Sequence, residues 1–271
     1  MLRSLNTAVS GLNEFQQDID VIGNNIANVN TAGFKEARAH FEDTFSQVLG
    51  SDIQVGSGVS TAAVSNNFTQ GAINNSGVGT DLAISGQGFF VVRNTGSNAD
   101  SVTRAGDFHT DVNGYLVTNG GLRVQGYNDS SLGTIGDLLI DATGAPATAA
   151  PGATISSFNI DQFGKINVRL SDGTQFVRGQ VLLQTFRNPG ALIKEGENLY
   201  SPQVDAGGLT QAAAAQTNGL GLIQAGALEM SNVDLTGEMA GLITAQRAFQ
   251  ANARMITTSD EILQEVVNLK R

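Results

Sequence analysis

The chain has 271 residues, a formal net charge of -10 and a sequence pI near 4.5, which is length enough for a substantial core in one or two domains. Its acidic residues are dispersed and its basic ones unclustered. This excludes nucleic acid or an anionic membrane as the main partner, because both reward Lys/Arg patches. With 33 Gly, no Cys and no Trp, the composition points to a turn-rich β fold and excludes disulfides, thiolate metal sites and a cysteine nucleophile.

From about Ser4 to Asn28 the sequence has a helical period without proline. Leu5, Leu12, Ile19 and Ile26 recur at seven-residue intervals, with Ala8, Phe15, Ile22 and Val29 three later. Rows so offset form the seam that a coiled coil buries. The helix would be about 40 Å long at about 1.5 Å per residue. Gly11 and Gly23 each weaken it by up to about 1 kcal/mol relative to Ala, so packing must hold it. Asn28, Asn30, Thr31 and Gly33 offer capping and turn chemistry at its end. Arg3 is its only basic residue and no continuous apolar run follows, so the stretch is not a cleavable signal peptide. No window approaches the roughly 20 apolar residues of a membrane helix.

Phe41, Phe45 and Val48 would share a helical face, or lie extended on the core. Residues 50–79 read as a long extended arm with weak strands. Strand signals sharpen at 82–84, 89–93, 102–104 and 107–110, and a turn at Asp111-Val112-Asn113-Gly114 returns the chain as 115–118. Residues 122–127 add a strand, and 141–153 form an Ala/Gly/Pro surface loop. Strands resume at 155–160, 166–170 and 176–186, and Asn188-Pro189-Gly190 is expected to close the sheet. Residues 204–226 read as mostly irregular.

The final stretch carries a second heptad stripe. Leu235, Leu242, Phe249, Ile256 and Leu263 are seven apart, and Met239, Ala253 and Val267 form a row four later that Gln246 and Asp260 interrupt. The helix is expected to start near Ser231 or Asn232, with Asp234 in its first turn and Lys270 and Arg271 at its negative end. The expected class is α+β, with terminal helices pairing as a coiled-coil-like assembly domain and a central antiparallel, hairpin-rich β domain joined by extended arms. The boundaries are 1–32 helical, 33–79 arm, 80–203 β domain, 204–230 return arm and 231–271 helical. The two stripes are of similar length, and Gly-rich arms separate both from the sheet. That favours a seam shared among subunits over one closed within a chain.

Little in the sequence suggests chemistry. His40 and His109 lack metal-ligand spacing, and Asp111–Gly114 lacks the length and later Glu of a calcium loop. Gly86-Gln87-Gly88 precedes a strand rather than a helix, so it reads as a bulge or turn. Asp107 and Asp111 cannot be placed across a cleft, and no nucleophile elbow or phosphate loop is present. No cofactor or metal is expected. A hydrolase would need a clustered acid/base pair, and a binding module an exposed recognition patch. Neither pattern is found.

The segment from Asp20 through Asn24, Asn25, Asn28, Gly33 and Phe34 to Lys35 (DVIGNNIANVNTAGFK) resembles the N-terminal signature of bacterial flagellar rod and hook proteins. Residues 227–235 with Asn232, 243–250 with Gln246 and Arg247, and 256–264 resemble its C-terminal signature. Residues 81–92 and 195–200 match in order between them. The resemblance implies a non-enzymatic subunit, exported unfolded by the flagellar type III apparatus, that forms a helical homopolymer with its terminal helices lining a tube. Implied partners are the flagellar rod, hook cap and hook–filament junction proteins. Residues 267–271, 122–127 and 67–71 look more like the hook than the rod, so an extracellular hook subunit is expected, although the large outer domain after Tyr127 is missing. The alternative is a rod subunit in the basal body. On this reading Leu5, Leu12, Phe15, Ile19, Ile22, Ile26, Leu235, Met239, Leu242, Phe249, Ile256, Leu263 and Val267 form the assembly interface, and Gln246, Arg247 and Asp260 make contacts between subunits.

Overall fold

The computed structural model describes residues 2–44, 46–50, 53–96, 99–147, 149–150, 152–201, 206–207 and 212–269. Internal contacts divide the chain into two units. One comprises residues 1–29, 35–67 and 233–271, the other residues 30–34 and 68–232.

The first unit holds both long helices, α1 (Leu2–Ala27) and α2 (Leu235–Asn268). They run antiparallel, with Gly11 against Asn252, Ile22 against Gly241 and Asn25 against Glu238. On α1 the stripe read from the sequence faces inward. Ala8 and Ile22 are buried, and Leu5, Leu12, Phe15, Ile19 and Ile26 are half-buried. A Cβ on Gly11 would come within 2.6 Å of the Asn252 side chain, so the glycine that weakens the helix also lets its partner approach.

On α2 four of the five first-row residues are as expected: Leu242, Phe249, Ile256 and Leu263 are half-buried, as is Ala253 of the second row. A further inward row lies three residues after the first. Ala245 is 3% exposed and Asn252 and Ser259 are half-buried. Met239 and Val267 turn outward at 45% and 65% exposure, as does Leu235 at 44%. The rows at i+3 and i+4 flank the first row on opposite sides of a 3.6-residue turn. α1 covers the side with the smaller residues, where backbones can come closer. The helix also starts later than expected. Asp234 is its N-cap, accepting from Thr236 N–H at 3.0 Å, rather than a first-turn residue. Lys270 and Arg271 lie outside the described residues.

The expected arm is a long hairpin. β1 (Ala37–Asp43) pairs antiparallel with β4 (Val59–Asn66), bulged at His40/Phe41. β2 (Ser46–Gly50) and β3 (Ile53–Gly56) continue the ladder beyond the Thr44 N–H to Gly58 carbonyl bond of 2.9 Å. Phe41 is therefore extended, and its ring meets Phe15 of α1 edge-on at 6.4 Å. Phe45 lies outside the described residues, and Val48 is in β2. Thr61 of β4 donates to Glu14 and, at 2.6 Å, to the Gln17 side-chain oxygen. α1 is thus packed by α2 and by the hairpin.

The second unit is built on antiparallel pairs throughout. After β5 (Ile73–Asn75) come β6 (Leu82–Ser85), β7 (Phe89–Arg93), β8 (Asp100–Thr103), β9 (His109–Thr110), β10 (Leu116–Val117), β11 (Arg123–Tyr127) and β12 (Ile135–Asp137). Then follow β13 (Ile155–Ile160), β14 (Lys165–Leu170), β15 (Gln175–Gln184), β16 (Ile193–Gly196), β17 (Leu199–Ser201), β18 (Ala213–Ala214), β19 (Leu222–Ala225) and β20 (Ala227–Glu229). The main sheet runs β13-β14-β15-β11-β7-β8-β17-β16, while β19 pairs with β6 and β20 with β5. Central β7 explains its own sequence. Phe90 and Val92 enter one core with Leu116, Val124, Val181 and Leu183, whereas Phe89 and Val91 enter another with Val102, Phe186 and Tyr200. A strand covered on both faces reads as an unbroken apolar run.

Asn188-Pro189-Gly190 does not close the sheet. Pro189–Ala191 makes one 3-10 turn, and β16 and β17 then extend the edge through β8. Nor is the return stretch mostly irregular in its described part, because β18 and β19 pair with β15 and β6.

Within this unit Arg104 and Glu229 form a buried ion pair at 3.2 Å, their side chains 4% and 0% exposed. Arg104 also donates to the Gly86 carbonyl at 3.0 Å, and Glu229 accepts from Gly71 N–H at 3.0 Å. Removing one partner strands the other charge, so Arg104→Ala should cost the β unit about 3–5 kcal/mol. Tyr115, Tyr127 and Tyr200 all lie in this unit and the chain has no Trp. Urea unfolding read by tyrosine fluorescence therefore measures that loss, and an unchanged midpoint would contradict it.

Candidate functional site: an assembly surface

The helical unit is tied by one buried side chain. The Asn25 amide donates to the Ala37 carbonyl at 2.8 Å and accepts from Ala37 N–H at 3.0 Å, serving the end of β1 as a neighbouring strand would. The same Nδ2 donates to Glu238 of α2 at 3.3 Å. Asn25 therefore joins α1, β1 and α2. Asn28 Nδ2 donates to both the carbonyl and the side-chain oxygen of Asn24 at 2.9 Å and finishes α1. At the start of α2, Asp234 and Glu238 place negative charge where the helix dipole favours it.

The other signature residues act within the β unit. Gly33 has φ +69°, and a Cβ there would lie 2.3 Å from the Ala105 nitrogen, so only glycine fits. Its N–H donates to the Glu229 carbonyl at 2.8 Å. Phe34 is buried beneath Lys194, whose Nζ is 4.0 Å from the ring centroid. Asn232 is not a helix cap. Its Nδ2 donates to the Thr69 hydroxyl at 2.8 Å. Gln246 and Arg247 stand exposed on α2.

What α2 leaves outside is the candidate site. Leu235, Met239 and Ile243, the last 53% exposed, lie at successive four-residue steps on one outward face. Met255, Ile262, Val266 and Leu269 are also exposed, on the opposite flank of the helix, and Val267 is exposed near its end. A helix in a lone soluble subunit turns polar residues outward, and a sustained apolar row marks a docking surface. Of the predicted interface, Leu235, Met239 and Val267 stand on this surface, while the α1 residues and Leu242, Phe249, Ile256 and Leu263 face the α1–α2 seam. Ile243, Met255, Ile262, Val266 and Leu269 lie outside both rows of the heptad reading, Ile243 on the Met239 side of the first row and the other four on the opposite side.

A cleft of about 380 Å³ in the helical unit brings together Asp18 of α1, Glu36 and Arg38 around the start of β1, and Asp234 and Glu238 at the start of α2. Arg38 pairs with Glu36 at 2.6 Å. Burial pushes the Asp18 carboxyl up from its ordinary value. Burial also pushes Glu238 up, reinforced by the Glu36 and Asp18 charges and opposed by the Asn25 hydrogen bond. Among the described residues no group of three or more His, Cys, Asp or Glu is placed to hold a metal ion. No helix among them is long and apolar enough to cross a membrane. His40 is exposed and bonded to the Ser65 hydroxyl at 2.8 Å, and His109 is exposed.

Residues 5–35 match the family described as flagella basal body rod protein, and 224–269 the flagellar basal body rod FlgEFG protein C-terminal family. Residues 83–168 match the flagellar hook protein FlgE/F/G D1 domain. The chain is similar to the flagellar basal-body rod protein FlgG of Bacillus subtilis, 42% identical over all of both chains, and to that of Borreliella burgdorferi, 35% identical over all of both. It is also 27% identical to the flagellar hook protein FlgE of Borreliella burgdorferi across all of both chains. That alignment runs over 446 residues against the 271 here, so the hook protein carries long insertions.

Two outcomes test the clasp. Asn25→Ala leaves both buried polar groups of Ala37 unpaired and should cost the helical unit about 2–4 kcal/mol, seen as a lower urea midpoint in far-ultraviolet circular dichroism. The second outcome concerns pH. Asp18 and Glu238 bind protons more readily folded than unfolded, so the helical unit gains stability as pH falls from neutrality through their raised values toward their ordinary 3.8 and 4.5. The β unit responds in the opposite sense. Hydrogen bonds hold Asp129 and Asp172 low, and Arg123, Gln125, Thr143 and Arg178 do so for Asp137 and Asp141 against burial. Only Asp107 among the resolved shifts there is a carboxyl pushed up. Its stability is lost as pH falls below about 3.8, through those lowered values. Urea titrations at several pH values, following helicity and tyrosine emission together, should show the two midpoints moving apart. Midpoints moving together would contradict this.

Proposed function

Because the chain belongs to the family of flagellar basal-body rod and hook proteins, we propose that it is a rod subunit, one segment of the stiff shaft that carries motor torque. The observation that carries the assembly reading is the outward apolar row on α2. In a helical homopolymer that row would bury against neighbouring copies. Its partners would be itself, the adjoining flagellar segments and the flagellar export apparatus.

The expected hook subunit gives way to its alternative on two grounds. The rod relatives match end to end at the higher identities, and the hook relative is longer by insertions that this chain lacks. The hook expectation rested on the short segments 67–71, 122–127 and 267–271, against which the whole-length identities weigh more.

Leu235, Met239 and Ile243 contribute little to the fold of the free subunit, so replacing all three with Ser should leave helicity and tyrosine emission unchanged. Burying their exposed halves is worth about 1 kcal/mol each, so the critical concentration for polymerisation should rise about a hundredfold. Sedimentation and electron microscopy of purified protein test this. Straight tubes from the parent and none from the variant are expected. Equal polymerisation by the variant would remove the α2 face from the interface, and curved tubes from the parent would favour the hook.

A further inference from the structure

Three Asn-Gly pairs occur in the chain, at 113–114, 119–120 and 218–219. At such a pair the next backbone nitrogen can attack the Asn side-chain amide with the least hindrance, because glycine has no Cβ. The surroundings of Asn119 differ from those of the other two. It lies in the turn between β10 and β11, closed by Thr118 N–H to Leu122 carbonyl and Gly121 N–H to Thr118 carbonyl bonds, both 2.9 Å, with Gly121 left-handed at φ +79°. Among the described residues, nothing accepts the Gly120 N–H.

Two carboxyl groups from other parts of the β unit converge on this turn. Asn119 Nδ2 donates to Asp107 Oδ2. A Cβ built on Gly120 would lie 2.4 Å from Glu197 Oε2, so that carboxylate lies beside the Gly120 α-carbon, the atom bonded to the nitrogen that must lose its proton. Glu197 is fixed there by consecutive left-handed residues, itself at φ +51° and Asn198 at +57°, with the Asn198 carbonyl accepting from Thr103 at 2.8 Å. All of them line one open cleft of about 330 Å³, which admits water. Asn113 meets only Asp111 of its own exposed turn, at 3.2 Å.

We propose that Asn119 is a self-modification site, converted by the fold through a cyclic imide with Gly120 to aspartate or isoaspartate. Glu197 takes the Gly120 amide proton as that nitrogen bonds to Asn119 Cγ. The Cγ–Nδ2 bond breaks, and Asp107 gives the leaving group its proton, so that ammonia departs. Water then opens the imide on either carbonyl, leaving one new carboxylate. Burial pushes the Asp107 carboxyl up, which favours the protonated form that a proton donor needs. The product places a third carboxylate beside Asp107 and Glu197, and the isoaspartate form adds a backbone atom to the turn.

Purified full-length protein held at neutral pH and physiological temperature tests this, with peptide mass spectrometry measuring the mass gain of about 1 Da at each Asn-Gly pair. Asn119 should convert about tenfold faster than Asn113 and Asn218, and Glu197→Gln and Asp107→Asn should each slow Asn119 alone by a similar factor. Unfolding the parent in urea should erase the difference among the three sites, an arm that needs no variant to fold. Conversion of folded Asn119 no faster than that of Asn113, a preference that survives in urea, or an unchanged rate in a folded Glu197→Gln variant would each overturn the proposal.

Discussion

The Asn25 amide is the interaction on which the helical unit depends. A side-chain amide that satisfies both the N–H and the carbonyl of Ala37 fixes where β1 leaves α1, and its bond to Glu238 fixes where α2 begins opposite. Once those three points are set, the antiparallel register carries Ile22 onto Gly241 and Gly11 onto Asn252. Buried without its partners, such an amide would cost more than it contributes when satisfied. The clasp therefore specifies one arrangement of helices and hairpin rather than merely adding stability.

That register also decides what is left outside. α1 spends its apolar stripe on α2 and on the hairpin, whereas α2 is covered mainly by α1 among the described residues. The small-residue flank of α2, Ala245 and Ser259 with Asn252, goes inward, while Met239 and Val267 of the other flank, and Leu235 of the first row, stay out. An arrangement that maximised the stability of a lone subunit would do the reverse. On the proposed reading the unburied flank is a surface for other copies, and the raised Asp18 and Glu238 carboxyls near the start of α2 predict a free helical pair less stable at neutral pH than in acid. The β unit has its own internal anchor in the Arg104–Glu229 pair and two apolar layers about β7.

Much of this was legible in the residues. The seven-residue spacing of α1 gave its inward face, because both flanks of that helix are covered and either reading of the seam succeeds. The same spacing on α2 was ambiguous between Ala245 and Met239, and hydrophobicity pointed to the wrong flank; close approach of backbones, which rewards small residues, decided the matter. β7, β11 and the β13–β15 meander announced themselves through dense β-formers and Gly-bearing turns. β16–β20 did not, being short and paired with distant segments, such as Ile223 with Ile84. No spacing or pattern in the sequence links Arg104 with Glu229, 125 residues apart; the fold brings them together. The signature residues were recognisable as a set, but only the coordinates separate Asn25, which holds helices, from Gly33 and Asn232, which shape the β unit.

The central claim is that the α1–α2 pair stays closed within each subunit and that the outward α2 flank makes the contact between subunits. A helical reconstruction of the assembled tube by electron cryomicroscopy tests it most directly. The account predicts Ile22 still seated on Gly241 of its own chain, with Leu235, Met239 and Ile243 buried against a neighbour. A reconstruction in which α1 packs on the α2 of another copy, or in which that row faces solvent, would contradict it.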